Sequence, residues 1–548
     1  MFRKFCFQFH WLVGITVGLV LAVVGVTGGL LSFEQAIVWR INRDVVSVAP
    51  VSGATPLAPS ELLEAARSAA PGRTVTALTL HARSDRAAVL TLAGSGPAAR
   101  RGESLYVNPY TGEAQGGVLR GQPFFRNVRR LHRWLLMDAL TGNRDAGRQV
   151  VGASTVLLIL LVISGIVLRS PGQLRSWRAW LTFSPKRKGR AFLWEMHAVV
   201  GTWVAPLYLL ASLTGLYWSY EGYRNVLHRI SGVPRVVRGH GPPAGGGGRG
   251  EQRPPEAPQP DPGATLDRAW ALFRETVGDD YSWVMIRLPQ TAATSVRLTY
   301  LDARARHDRA LSRMTIDVDE ALVADHDRYA DRPLPVRLMG SMLPLHSASY
   351  FGVVPTALMM AAALAMPLFT VTGWMMYLQR RRQNRAARQA MQEARSEGLK
   401  EDGKTLPILY ASQGGFAKTL AWQSATALQQ AGQGVTVKEL GRVTPAFLAG
   451  RRRVLFVVST FGLGISPTGA RPFVVQMHKT DLSNLQYGLL SLGDRRYGEL
   501  YCKFGRELEI WLRDCGARPL FATVEVDDGN PDALQEWQRC LLCLKEDT

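Results

Sequence analysis

Four apolar runs decide what this 548-residue chain can fold into: residues 11–38, 150–168, 201–220 and 353–378. Each is near or above the ~20 residues that an α-helix needs to cross ~30 Å of hydrocarbon. The first is too long for a signal-peptide core and has no small-residue cleavage pattern behind it. Three more such runs follow, so it reads as an uncleaved span. Glu34 lies near the outer end of the first run, and no Asp, Glu, Lys or Arg lies in the interiors of the four. A transporter that couples to buried charge is disfavoured on that ground.

The formal charge of +21 suggests nucleic acid until its placement is read. Arg169, Arg175, Arg178, Lys186, Arg187, Lys188 and Arg190 stand between spans two and three, with no acid across residues 170–192. Arg380, Arg381, Arg382, Arg385 and Arg388 follow span four. Clusters of this kind beside a span mark the cytoplasmic side. Both termini are then cytoplasmic, residues 42–149 and 221–352 lie outside, and no nucleic-acid partner is expected. Arg126, Arg129, Arg130 and Arg337 belong to the outer segments, where they suit an anionic complex or lipid headgroups. Of the five cysteines (Cys6, Cys502, Cys515, Cys540, Cys543) none lies outside, so no disulfide framework is expected there. The Cys540/Cys543 spacing reads as coincidence rather than a redox pair.

The membrane half is an internal repeat. A shift of 187 residues places His10 on His197, Gly14 on Gly201, Thr27-Gly28 on Thr214-Gly215, and Ser32-Phe33-Glu34 on Ser219-Tyr220-Glu221. Leu131-His132 before span two corresponds to Leu345-His346 before span four, and Ser164-Gly165 to Thr372-Gly373. The unit, used twice, is span, outer module, histidine turn, span.

Four histidines therefore sit at span ends, His10 and His197 near the inner face, His132 and His346 near the outer. Neutral imidazole is an axial ligand of heme iron, and two from facing helices hold a six-coordinate b-type heme suited to electron transfer. No Cys-x-x-Cys-His is present, so c-type attachment is not expected. Gly14, Gly18 and Gly201 are expected to admit the flat porphyrin. Phe33, Trp134, Trp194, Trp203, Tyr208, Tyr217, Trp218 and Trp374 line it or form the interfacial aromatic belt. Hydrogen-bonded structural histidines explain any one of the four better than they explain a duplicated set at two depths. The other six histidines read as surface or structural.

The outer modules are α+β. The first has a helix at 59–70 and strands at 74–80, 87–91 and 105–109, with a turn at Tyr110-Thr111-Gly112. The second has a helix at 265–275 and strands at 283–288, 296–301 and 314–318. Beyond a charged helical linker, strands at 407–411, 435–439, 454–459, 485–492 and 518–525 alternate with helices at 417–431 and 505–515, which is a doubly wound α/β pattern. Three loops follow strand ends, where an open parallel sheet binds its ligand. They hold Ser412, Gln413, Gly414, Gly415, Phe416 and Ala417; then Ser459, Thr460, Phe461, Gly462 and Gly464; then Leu492, Gly493, Asp494, Tyr497 and Gly498. Hydroxyls, small residues and a helix N-terminus suit a phosphate, and Phe461 and Tyr497 are placed to flank an isoalloxazine ring. The domain plan is span one 9–38, outer module 47–122, histidine turn and span two 124–168, and basic loop 169–192. Span three 194–220, Gly/Pro linker 239–263, outer module 264–335, histidine turn and span four 342–379, cytoplasmic linker 380–404 and α/β domain 405–540 complete it.

The three loops resemble the flavodoxin-like FMN domain of the sulfite reductase flavoprotein and cytochrome P450 reductase type. In those proteins the first loop commonly reads Ser-Gln-Thr-Gly-Asn; here Gly414 and Phe416 stand where Thr and Asn are usual. Leu131-His132-Arg133, Gly147-Arg148-x-Val150-x-Gly152, Trp194-x-x-His197-x-x-x-Gly201 with Pro206, and Pro344-Leu345-His346 with Phe351-Gly352 resemble the PepSY-associated transmembrane family of iron-regulated membrane proteins. The resemblance implies a four-helix membrane bundle with two external PepSY-like modules, two b hemes, and a cytoplasmic flavodoxin-like domain holding FMN. Relatives with the full flavoprotein module continue into an FAD and NADPH-binding reductase, so a separate NAD(P)H-dependent flavoprotein reductase is the expected donor. The expected function is electron transfer across a bacterial inner membrane, from FMN through two b-type hemes to a periplasmic acceptor, ferric iron in a siderophore first. The alternatives are peptidase inhibition or sensing by the PepSY-like modules without redox activity, and another periplasmic electron acceptor.

Overall fold

The computed structural model describes residues 2–50, 53–94, 102–169, 180–182, 189–234, 262–288, 295–396, 405–460 and 464–544. Most of the expected basic loop and Gly/Pro linker lie outside these residues, as do Phe461 and Gly462.

Four helices are long and apolar enough to cross a membrane. The first, Phe2–Leu31, ends earlier than the span expected at 9–38. The chain breaks at Ser32-Phe33 and a separate helix, Glu34–Ile41, follows. The second repeat does the same: Gly189–Ser219, a break at Tyr220, then Glu221–Ser231. Phe33 and Tyr220 hold φ of −123° and −124°, and each new helix opens on a glutamate, which suits its positive N-terminal end. Span two is Arg144–Arg169. Span four is part of one 44-residue helical stretch, Val353–Ser396, whose last third takes up the expected charged linker. Spans one and four meet through small residues. A Cβ on Gly25 would lie 2.6 Å from the Ala363 carbonyl oxygen, and one on Gly29 would lie 2.8 Å from the Leu364 side chain, the close approach that Gly-x-x-x-Gly permits.

The chain forms two compact units. The first comprises residues 8–165 and 201–370. Here the two expected α+β modules are one sheet. Strands β1 (Val75–His81), β2 (Ala88–Leu92), β3 (Glu103–Val107) and β4 (Ala114–Gly116) form one antiparallel meander. A second meander is formed by β5 (Tyr281–Arg287), β6 (Ser295–Asp302), β7 (Leu311–Asp317) and β8 (Leu322–Asp327). β1 pairs antiparallel with β5, Thr79 opposite Met285, so the order β4-β3-β2-β1-β5-β6-β7-β8 reads as a palindrome about that seam. β4 and β8 escape the sequence pattern because the first is three residues long and the second, Leu-Val-Ala-Asp-His-Asp, ends in polar residues. Helices Pro59–Ala69 and Pro262–Val277 cover the sheet with Leu62, Leu63, Ala66, Leu266, Ala269 and Phe273, all buried. The Ser60 N–H donates to Asp267 Oδ1 across the two helices (2.9 Å).

The second unit comprises residues 1–7, 166–200 and 371–548. Its sheet is parallel: β9 (Leu406–Ala411), β10 (Val435–Glu439), β11 (Arg453–Ser459), β12 (Gln486–Gly493), β13 (Arg518–Pro519) and β14 (Val524–Asp527). The order β10-β9-β11-β12, with β13 and β14 both on β12, is the 2-1-3-4-5 plan of a doubly wound sheet. The last expected strand, 518–525, is split into β13 and β14, although the ladder passes Pro519: the Arg518 and Leu520 N–H groups donate to the Leu485 and Tyr487 carbonyls (2.9 and 2.8 Å). The closing helix Pro531–Cys543, which the sequence reading did not anticipate, is capped by the Asn530 side chain. It buries Trp537, whose indole N–H donates to Ser424 Oγ (2.9 Å). The extension of span four packs here too: Ala390 and Ala394 sit in the same core as Leu420 and Trp537.

Because both meanders share one core, Phe273→Ala should cost about 3–5 kcal/mol and loosen both. Hydrogen exchange should rise in β1–β3 as well as β5–β7; a rise confined to β5–β7 would mean two independent modules.

Candidate functional site

His132 lies on the helix Gln122–Trp134 and His346 closes the helix Met342–His346. Their imidazole centres are 6.3 Å apart, with planes at 66°. Each ring is held from behind by the preceding span of its own repeat. His132 Nδ1 is 3.0 Å from the Val24 carbonyl oxygen and 3.2 Å from Thr27 Oγ1. His346 Nδ1 is 2.9 Å from the Ala211 carbonyl oxygen and 3.1 Å from Thr214 Oγ1. Positions 24 and 27 become 211 and 214 under the 187-residue shift, so the two docks are the same device.

These partners settle the tautomer. A carbonyl oxygen only accepts, so Nδ1 of each ring carries the proton and donates it. The threonine hydroxyls have spent their own protons on backbone carbonyls of Val23 (2.7 Å) and Leu210 (2.6 Å), leaving oxygen lone pairs toward the rings. Nε2 is then the atom with a lone pair to offer. Burial, the largest cause, holds both rings neutral: His132 is pushed down to about 4, and His346 is lowered as well.

The glycine after each threonine makes room for the ring. A Cβ on Gly28 would lie 3.0 Å from His132 Cε1, and one on Gly215 would lie 3.3 Å from His346 Cε1. The turns after both histidines use non-glycine residues at positive φ, Leu135 (52°) and Leu136 (57°) after His132, Ala348 (60°) after His346. Such backbone persists where its surroundings over-determine it, commonly at functional sites. Trp218 stands edge-on to His346 at 5.7 Å.

The other two histidines repeat the theme with a hydroxyl. His10 Nδ1 is 2.9 Å from Ser164 Oγ, whose proton goes to the Leu161 carbonyl. His197 Nδ1 is 2.8 Å from Thr372 Oγ1. A Cβ on Gly165, the next residue after Ser164, would lie 3.3 Å from His10 Cε1. Along span one, His10 and the dock for His132 are separated by 14 to 17 residues, about 21–26 Å of helix rise.

The hydroxyl–glycine dipeptides were visible in the sequence as repeat markers, but their role as histidine docks was not. The glycines expected to admit a porphyrin have the following neighbours. Gly18 faces Thr370, whose hydroxyl donates to the Gly18 carbonyl (2.9 Å), and Gly201 faces Phe369. Gly14 meets nothing within 4 Å. Of the aromatic residues proposed as lining, Trp218 touches a site histidine. Tyr208 is buried with its hydroxyl on the Ala362 carbonyl (2.7 Å). Trp134 takes the guanidiniums of Arg133 and Arg144 on its ring, and Trp194, Trp203 and Trp374 are exposed. Arg129 and Arg130 are ion-paired with Glu34 and Asp138. Three of the remaining described histidines outside the second unit have other partners: His228 with Tyr217, His326 with Tyr300, and His307 with Tyr329 and Ser341; His81 ends β1.

The three expected loops converge at the C-terminal ends of adjacent strands β9, β11 and β12. In the first, Gly415 (φ +99°) donates its N–H to Ser412 Oγ (3.0 Å), and Gln413 Oε1 accepts from the Thr468 N–H (2.8 Å). The helix Phe416–Gln430 starts there without a side-chain cap, so the amides of its first turn, including Phe416 and Ala417, point to whatever fills the loop. Ser459 Oγ donates to the Ala411 carbonyl (3.1 Å) and Thr460 Oγ1 accepts from the Phe504 N–H (3.2 Å). Gly464 (φ +81°) and Gly498 (φ +57°) take the backbone form that favours glycine. A Cβ on Gly493 would lie 2.6 Å from the Cys502 nitrogen. Arg495, after Asp494, donates its N–H to Asp527 Oδ1 (2.8 Å). Gly414 leaves the loop without the threonine hydroxyl found in the resembling family, and Leu492 is largely buried in the core beneath. The Phe461 and Gly462 positions and the side chain of Tyr497 are outside the described residues.

Comparison with known proteins follows these two regions. Residues 7–380 match the PepSY-associated TM region family, and residues 408–538 match the flavodoxin family. The sulfite reductase [NADPH] flavoprotein alpha-component of Vibrio parahaemolyticus is 31% identical over 172 residues, 31% of this chain and 27% of that protein. That of Bacillus subtilis is 33% identical over 137 residues, 24% of this chain and 22% of that protein. The chain thus spans about a quarter of the length of these curated relatives. A solved Streptococcus flavodoxin is 22% identical, with a TM-score of 0.25, covering 26% of this chain and 99% of that one. The chain belongs to the PepSY-associated TM region family and carries a flavodoxin domain joined after its last span.

Proposed function

We propose that this protein carries electrons across a bacterial inner membrane, from FMN at the three sheet-end loops, by way of two b-type hemes, to ferric iron in a siderophore on the outer side. The observation that carries the reading is the His132–His346 pair. Two metal–nitrogen bonds of about 2 Å and two imidazole radii of about 1.2 Å sum to roughly 6.4 Å between ring centres, and the observed separation is 6.3 Å. The rings reach that separation with Nδ1 held and Nε2 left to coordinate, the arrangement that second-shell partners impose on metal-binding histidines. Two paired imidazoles are a ligand set that would suit a heme iron.

When bound, FMN accepts electrons in pairs and releases them singly, and bis-histidine heme passes single electrons without an open coordination position. The chain's own residues do the positioning. Thr27 and Thr214 with the Val24 and Ala211 carbonyls fix the outer rings; Ser164 and Thr372 do so for His10 and His197, whose assignment as the inner pair rests on the sequence repeat. Ser412, Gly415 and the open first turn of the helix Phe416–Gln430 suit the flavin phosphate. Thr372 and Gln383 lie on one helix, eleven residues or about 16 Å of rise apart, which joins an inner histidine to the flavin side. The arginine clusters beside the spans support the orientation, with the flavodoxin domain and both termini cytoplasmic. Reduction would release the iron because hard oxygen ligands hold ferric iron better than ferrous. A separate NAD(P)H-dependent flavoprotein reductase would load the flavin.

Replacing ligands sorts the two hemes. His132→Ala or His346→Ala should each remove about half of the bound heme and leave FMN in place; His10→Ala or His197→Ala should remove the other half. Variants that keep full heme content would overturn the ligand assignment.

Transfer itself is tested with the loaded protein in sealed vesicles. NADPH and a purified flavoprotein reductase are placed on the flavin side, and a ferric siderophore with a ferrous-specific dye on the other. Dye should colour with the wild-type protein and stay near background with His132→Ala. Heme reduction without ferrous iron would leave electron transfer standing and remove the siderophore as acceptor.

A further inference from the structure

The helix Met366–Ser396 does not end where the apolar run ends. It passes the arginines from Arg380 and seats a face of alanines, Ala387, Ala390 and Ala394, at 2%, 4% and 0% exposure. One turn before that face it meets the first flavin loop. A Cβ built on Gly415 would lie 3.4 Å from Asn384 Oδ1 and 3.7 and 3.8 Å from Gln383 Cβ and its carbonyl carbon. Gln383 Oε1 is buried and has no hydrogen-bond partner among the described residues.

This contact falls on the loop that is chemically short-handed. Gly414 has no hydroxyl and Phe416 has no carboxamide, where the resembling loops carry both. Phe416 instead turns its ring toward Gly529, with Cζ 3.6 Å from where a Cβ there would stand. The loop keeps backbone donors at an uncapped helix start, and a phosphate dianion there has room for further donors. A carboxamide supplies two, and a half-turn about its terminal torsion exchanges oxygen for nitrogen.

We propose that Asn384 is a phosphate-binding residue of the flavin site, so that the membrane helix itself supplies the donor that the loop lacks. This rests on the FMN reading of the domain. Flavin occupancy then depends on span four being seated on the α/β domain, and that seating holds the flavin at a fixed place on the helix that carries Thr372.

The test uses the full chain in detergent, stripped of flavin and titrated with FMN and with riboflavin, which lacks the phosphate. A hydrogen bond to a charged group makes the expected loss for Asn384→Ala about tenfold or more in FMN Kd, with riboflavin Kd unchanged. Asn384→Asp, close in size, should weaken FMN further by repulsion and again spare riboflavin. Phe416→Asn in the Asn384→Ala background should restore FMN binding by returning a carboxamide to the loop. An unchanged FMN Kd in both Asn384 variants, or equal losses for FMN and riboflavin, would overturn the assignment. A wild-type chain that binds neither flavin would instead overturn the flavin reading on which it rests.

Discussion

A neutral imidazole has one proton, and the group that holds it decides which nitrogen remains for anything else. The spans of this protein hold that proton at Nδ1 of His132 and His346 with backbone carbonyls beside threonine, and set a serine or threonine hydroxyl against Nδ1 of His10 and His197. A carbonyl one turn back from a threonine is available because the threonine bonds its own helix and leaves the neighbouring oxygen accessible. The following glycine then lets the ring lie against the helix. In the first unit small residues bring spans one and four together, and positive-φ turns follow His132 and His346, whose ring centres lie 6.3 Å apart.

Much of this was legible in the chain and some was not, for physical reasons. The spans follow from length and apolarity, and the repeat follows from matched polar and small residues, which chance apolar similarity does not produce. The repeat even marked Thr27-Gly28 and Thr214-Gly215. What it could not give is which helix each histidine leans on, because that depends on tertiary crossing and not on periodicity. For the same reason the sequence does not show that Gly18 and Gly201 meet side chains at 370 and 369. The union of two modules into one sheet was equally hidden: β1 and β5 are about 200 residues apart in sequence, and nothing local in either strand records its partner. In the α/β domain, strand and loop order is readable, whereas the split of the last strand leaves no local mark and the closing helix at Pro531 turns on one proline and a cap.

Span four joins a docked histidine to the flavodoxin domain. One helix carries the hydroxyl beside His197, passes the basic cluster, and ends in the core of the flavodoxin domain. A helix is stiff over this length, so the flavin loop keeps its place relative to Thr372 without relying on a flexible tether. The seam is lined by alanines at positions 387, 390 and 394, all buried.

The central claim is that two bis-histidine b hemes lie in this protein together with one flavin. It is tested most directly by a dithionite-reduced minus oxidised visible spectrum of the detergent-purified chain made under heme-replete conditions, with pyridine hemochrome and flavin quantitation on the same sample. Sharp b-type bands with about two hemes and one FMN per chain are expected. A preparation that carries no heme would contradict the electron-transfer reading and leave the paired histidines with a structural role.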